Sequence, residues 1–176
     1  MFNTILGIPA HPLLIHAAVI FIPLLIVGAI VYAAWPPFHG RIGWAVLALA
    51  IVAPFSALFA KLSGQDLRNR LIARHEVSVK GLAQITQHNS YGNHTFWWTI
   101  GLGVATLLVL GYYWRLSQAA PAPAGDATAT STAGAAAAPA AFRIGATVVT
   151  LVLGAIVGYY VLKTGDTGAH IVWTGL

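Results

Sequence analysis

The sequence predicts an all-α integral membrane protein, a four-helix bundle built from two helical hairpins. Hydrophobic residues make up 58% of the chain and charged residues only 7%, whereas a soluble domain carries about 25% charged residues. Four separate windows are each long enough to cross a hydrocarbon core about 30 Å thick, and none contains Asp, Glu, Lys or Arg. Backbone groups inside lipid must be satisfied within their own segment, so each window is predicted to be a helix.

The first hairpin is predicted from windows 13–34 and 42–60, joined by the turn "WPPFHG". Each window has a proline near its middle, Pro23 and Pro54, where a kink is expected. The second hairpin is predicted from windows 95–114 and 144–162. The last of these contains "GAIVG", a GxxxG pattern that permits close contact between helices.

Two polar segments separate the windows. In residues 63–93, Leu67, Leu71 and His75 recur every four residues with the arginines off that stripe, which favours a partly helical, amphipathic loop lying at the membrane surface. Residues 117–141 are rich in Ala, Pro and Thr with Asp126 as their one charge, which is typical of a flexible spacer.

The composition excludes several functions. The chain has no cysteine and its one methionine is Met1, so disulfides, thiolate ligands and a thioether metal site are excluded. Its nine basic residues are too scattered for a nucleic-acid surface. Motifs of hydrolysis or group transfer are absent from the sequence, which favours an electron-transfer or accessory role over a stand-alone enzyme.

Four crossings place both ends of the chain on one side of the membrane, called here the first side. Six of the nine basic residues belong to that side, which the positive-inside rule makes cytoplasmic: Lys61, Arg68, Arg70, Arg74, Lys80 and Lys163. Six of the seven histidines also belong to it: His11, His16, His75, His88, His94 and His170. Only His39 lies opposite, so we expect at most one cofactor, near the first side.

A weak internal repeat supports this polar end. Each hairpin begins with two histidines and closes with Ser/Thr-Gly followed by Asp, in "KLSGQD" and "LKTGDTG". Five residues of helix rotate by about 500°, so the rings of His11 and His16 diverge by about 140° and only one can face the interior. We expect His16 to be that residue, because it lies within the apolar window.

Three kinds of function remain open. In the first, a bundle core holds one b-type haem or metal with His16 and His88 as ligands, and His11 and His94 complete the candidate set; His16, His88 and Asp66 form an alternative metal site. In the second, Asp66 and the histidines conduct protons or ions. In the third, the histidines make ordinary interhelical hydrogen bonds in a cofactor-free accessory subunit.

Four segments of the chain are distinctive: "HPLLIH", "SGQDLRNR", "QHNSYGNHTFWW" and "TGDTGAHIVW". Through these segments the chain resembles a bacterial membrane family, the domain of unknown function 2231. The resemblance covers nearly all of the chain outside the spacer. The matching positions are His11, Pro12, His16, Gly64, His88, Gly92, Gly165, Gly168, Ala169 and Trp173. Asp166 departs from the pattern, because many members have histidine there and this chain places His170 four residues later.

The resemblance implies a four-helix domain in the bacterial inner membrane. Relatives are joined to Rieske-type or cytochrome c domains, which implies redox partners by analogy only. Partners are therefore expected to be the lipid bilayer, such redox proteins and further copies of the chain.

Overall fold

The computed structural model describes residues 4–5, 8–119 and 138–174. Its elements are β1 (Thr4–Ile5), β2 (Ile8–Pro9), α1 (Ala10–Ala34), a 3-10 turn (Pro36–Phe38), α2 (His39–Ala73), α3 (Val79–Ala119) and α4 (Ala140–Thr174). Strands β1 and β2 form one short antiparallel pair just before α1. Each predicted window lies within one helix, and all four helices are long and apolar enough to cross a membrane. The predicted four-span helical fold is confirmed.

The four helices surround two clusters of buried apolar side chains. Helices α1 and α3 each pack against α2 and α4, and they face one another diagonally across the bundle. Ile22, Leu25, Leu102 and Val157 are fully buried between them. All four belong to the larger of the two clusters.

Two glycines allow neighbouring helices to approach closely. A Cβ atom added to Gly103 of α3 would lie 3.0 Å from the carbonyl oxygen of Ala50 in α2. One added to Gly154, the first glycine of the GxxxG pattern, would lie 3.0 Å from Cγ2 of Ile26 in α1. The GxxxG glycine therefore packs inside this chain, between α4 and α1.

The helices extend well beyond the apolar windows on the first side. The ammonium group of Lys61 lies 4.7 Å from the ring centre of Phe96 and 5.7 Å from that of Trp97, an arrangement typical of the membrane boundary. Helix α2 continues past this level to Ala73, and α3 begins at Val79. The predicted partly helical segment 63–93 therefore consists of the ends of α2 and α3, joined by residues 74–78.

The expected spacer falls mostly on residues 120–137, which lie outside the described residues. Its two ends are helical, because α3 continues to Ala119 and α4 begins at Ala140.

Candidate functional site

His11 and His88 meet in the interior of the bundle on the first side. Their ring centres are 6.2 Å apart and their planes cross at 80°. His11 lies in the first turn of α1 and His88 lies in α3. Because these helices are diagonal to one another, the contact between the two imidazoles crosses the middle of the bundle. We call His11 and His88 the histidine pair.

His11 is held by α2, its partner in the first hairpin. Its Nδ1 lies 3.0 Å from the hydroxyl oxygen of Ser63, which is fully buried. That hydroxyl donates its own proton to the carbonyl of Ala60, at 2.9 Å. Ser63 must therefore accept its second hydrogen bond, which places a proton on Nδ1 of His11.

His88 is held in the same way by α4, its partner in the second hairpin. Its Nδ1 lies 3.1 Å from the carbonyl oxygen of Thr164 and 3.2 Å from the hydroxyl oxygen of Thr167. The Thr167 hydroxyl donates to the carbonyl of Lys163, at 2.8 Å. A carbonyl can only accept, so Nδ1 of His88 also carries the proton.

The histidine pair therefore has one defined tautomer when both rings are neutral. The hydrogen bonds that the described residues make to these two rings use Nδ1. The proton on Nδ1 leaves a lone pair on each Nε2. Metal-bound histidines in proteins are fixed in this way, with the second ring nitrogen donating to a carbonyl or another oxygen.

Two glycines make room for the two rings. A Cβ atom added to Gly64 would lie 3.0 Å from Cε1 of His11, and one added to Gly168 would lie 3.0 Å from Cε1 of His88. A distance of 3.0 Å is tighter than nine in ten of the contacts that real Cβ atoms make. A side chain at either glycine would therefore force the neighbouring imidazole to move.

These contacts define the internal repeat. Ser63-Gly64 of α2 contacts His11 as Thr167-Gly168 of α4 contacts His88. The sequence offers two Thr-Gly pairs in "TGDTG", and the first of them, Thr164-Gly165, is the one in "LKTGDTG" that is followed by Asp, as in the predicted repeat. The contacts instead match the second pair to Ser63-Gly64, three residues later.

The prediction that His16 faces the interior is wrong. His16 is exposed, and its Nδ1 donates to the carbonyl of Pro12 within its own helix. His11 is the interior residue because α2, α3 and α4 extend past the start of α1 and enclose its first turn. His16 and His88 therefore do not form the expected pair.

His94 also lies outside the histidine pair. Its ring is exposed, donates from Nδ1 to the carbonyl of Ser90 at 2.8 Å, and stacks on Tyr160 with ring centres 4.9 Å apart. The second hairpin thus repeats the first, with one interior histidine and one exposed histidine.

The alternative metal set of His16, His88 and Asp66 is not assembled. Within the described ranges, no three His, Asp or Glu side chains lie close enough together to hold a metal ion. The backbone carbonyl of Asp66 accepts from the Arg70 side chain at 3.3 Å. His39, on the opposite side, donates from Nε2 to the carbonyl of Tyr32 at 2.7 Å and so caps the end of α1.

A polar pocket adjoins the histidine pair on the first side. It has a volume of about 250 Å³, and the hydroxyl-bearing residue Thr167 belongs both to its wall and to the contact with His88. The buried carboxamide oxygen of Gln84, another wall residue, has no hydrogen-bond partner in the described part of the chain. The remaining wall residues are Gln87, Tyr91, Lys163, Asp166 and His170.

The sequence interpretation assigned no role to Ser63, Thr164 or Thr167. The Ser/Thr-Gly pairs that close each hairpin were a visible signal, since a small hydroxyl beside glycine suits a close contact with a ring. The sequence pattern does not show which histidine ring each Ser/Thr-Gly pair contacts.

The fold defines this chain as a four-span helical membrane protein. It belongs to the family described as predicted membrane protein (DUF2231), whose model matches residues 7–175. The family resemblance drawn from the sequence is confirmed. No curated protein and no solved structure matches the chain.

Proposed function

We propose that this protein is a redox-associated membrane module that holds one b-type haem, with His11 and His88 as the axial ligands. The observation that carries the proposal is the histidine pair: two imidazoles from diagonal helices, each with Nδ1 as a donor and Nε2 left with a lone pair. Imidazoles from facing helices are standard axial ligands of haem iron.

The spacing of the rings supports the proposal. Two imidazoles on opposite sides of one metal place their ring centres about 6 Å apart, because each metal–nitrogen bond is about 2 Å and each nitrogen lies about 1 Å from its ring centre. The histidine pair has a separation of 6.2 Å. The separation of the histidine pair therefore matches that of two imidazoles on one metal centre.

The number of ligands favours haem over a bare metal ion. A bare zinc site usually takes three or four protein ligands, and the described residues bring no such group together. A haem iron needs only two axial ligands from the protein, because the porphyrin supplies the other four. When bound, the haem would supply reversible one-electron transfer at its iron.

The proposed setting is the inner membrane of a bacterium, with the histidine pair near the cytoplasmic face. Six of the nine basic residues lie on that side. Rieske-type or cytochrome c proteins are the proposed electron partners, by analogy with the domains to which relatives are joined.

The test is the visible spectrum, haem content and metal content of the full chain purified in detergent from a haem-producing host. We expect a Soret band and about one haem per chain, lost in His11→Ala and in His88→Ala. His16→Ala and His94→Ala are the matched controls and should keep the haem, because both rings are exposed. Colourless protein, bound metal without haem, or equal loss in His16→Ala would overturn the proposal.

A further inference from the structure

We infer that this bundle holds its two axial imidazoles in nearly perpendicular planes, and that Gly64, Gly168, Ser63 and Thr167 are the positioning residues that set this angle. The inference rests on the proposed haem site and adds its ring geometry. The angle between the rings can be tested separately from haem binding, because a haem-loaded protein could still have parallel rings.

The angle between the planes arises from separate anchors. The ring of His11 is held by α2 and the ring of His88 by α4. The two planes cross at 80°. Since neither anchor involves the other ring, the packing of the two hairpins fixes the angle before any ligand arrives.

The glycine and the hydroxyl group beside each imidazole restrict the rotation of that ring in different ways. The contacts at Nδ1 fix the direction of one ring edge: for His11 the Ser63 hydroxyl at 3.0 Å, and for His88 the Thr164 carbonyl at 3.1 Å together with the Thr167 hydroxyl at 3.2 Å. Gly64 and Gly168 let Cε1 lie against the backbone of the neighbouring helix, where an added methyl group would be only 3.0 Å away. Rotation of either ring would therefore break the hydrogen bond or press Cε1 into the helix.

The angle has a spectroscopic consequence. In a ferric low-spin haem, parallel imidazole planes separate the energies of the two iron orbitals that point toward the rings, whereas perpendicular planes leave them nearly equal. The orientation of axial ligands by their hydrogen-bonding partners is one of the levers by which a protein tunes a metal centre. A perpendicular pair gives a far more anisotropic low-spin EPR signal than a parallel pair.

The first experiment is low-temperature EPR of the oxidised, haem-loaded full chain. We expect the strongly anisotropic low-spin signal of perpendicular ligands. An ordinary rhombic low-spin signal, with haem still lost in His11→Ala and His88→Ala, would overturn this inference and leave the proposed function standing. Protein that binds no haem would overturn both.

Paired variants test the positioning residues. Gly168→Ala should move the EPR signal toward the rhombic form, whereas Gly165→Ala should not, because nothing lies within 4 Å of a Cβ atom at Gly165. Thr167→Val should shift the signal in the same direction, and Thr167→Ser should restore it by keeping the hydroxyl. The inference is overturned if Thr167→Val and Thr167→Ser give the same spectrum as the native chain; these two variants decide the question if Gly168→Ala does not accumulate.

Discussion

At the scale of single residues, the hydrogen-bond partner of Nδ1 divides the histidines into two groups. The exposed rings of His16, His94 and His170 lie near the carbonyl four residues earlier in their own helix. His11 and His88 instead reach the neighbouring helix of their hairpin. A hydrogen bond within one helix does not join two elements, whereas a hydrogen bond between helices does.

His39 provides a residue-scale prediction about stability. Its ring caps α1 through the carbonyl of Tyr32 and stacks on the Tyr32 ring with centres 4.2 Å apart. We expect His39→Ala to lower the free energy of unfolding by roughly 2 kcal/mol, from the lost hydrogen bond and ring contact. Denaturant titration in detergent micelles measures this change.

The control for His39 is His16→Ala, which removes an exposed ring bonded only within α1. We expect that variant to change stability by less than about 0.5 kcal/mol. A similar loss in both variants, or loss of haem in His39→Ala, would contradict the assignment of His39 as a helix cap remote from the site.

The sequence could predict part of this residue-scale organisation. Helical rotation required His11 and His16 to diverge, and the structure indeed separates a half-buried ring from an exposed one. It could not show which ring faces inward, because that depends on how far α2, α3 and α4 project past the start of α1. Hydropathy placed His16 deeper in the apolar window, but the enclosing helices belong to other parts of the chain.

At the scale of elements, hydropathy located the membrane crossings but not the helix ends. A hydropathy window indicates which residues can lie in lipid. A helix can continue beyond that window into water when neighbouring helices pack against it. Helices α2 and α3 do so, and they carry most of the charged residues of 63–93 on their ends. Of the predicted stripe, Leu67 and Leu71 lie in α2, and His75 follows the end of that helix.

The end of α2 carries an element-scale prediction. The amide of His75 donates to Ile72 and that of Glu76 to Leu71, both at 3.1 Å, in the Schellman pattern that ends many helices. His75 has φ of 56°, where glycine is favoured. We expect His75→Gly to raise the free energy of unfolding by about 1 kcal/mol, measured by denaturant titration.

The adjacent Arg74→Gly is the control for His75. Arg74 has φ of −93°, which needs no glycine, so added backbone freedom should only destabilise the helix end. Stabilisation by both substitutions, or by neither, would show that the left-handed backbone at His75 does not limit stability.

At the scale of the whole molecule, the histidine pair requires both hairpins. The first supplies His11 with Ser63 and Gly64, and the second supplies His88 with Thr167 and Gly168. The sequence predicted two similar hairpins with a polar end, which the structure reproduces. The predicted repeat was three residues too early in α4. The sequence contains two Thr-Gly pairs, and only the packing of the helices shows which of them contacts the ring.

The sidedness of the molecule is the last prediction. The chain has no cysteine, so a single introduced cysteine reports one position. Gly40→Cys lies at the end opposite the histidine pair, with nothing within 4 Å of its Cβ, and Glu76→Cys lies between α2 and α3. Because most basic residues share the side of Glu76, a membrane-impermeant maleimide should label Gly40→Cys in intact spheroplasts and Glu76→Cys only after lysis.

The unmodified chain is the control and should take no label. Reversed labelling would place the histidine pair at the outer face, and labelling of both sites from one side would contradict the four-span arrangement itself.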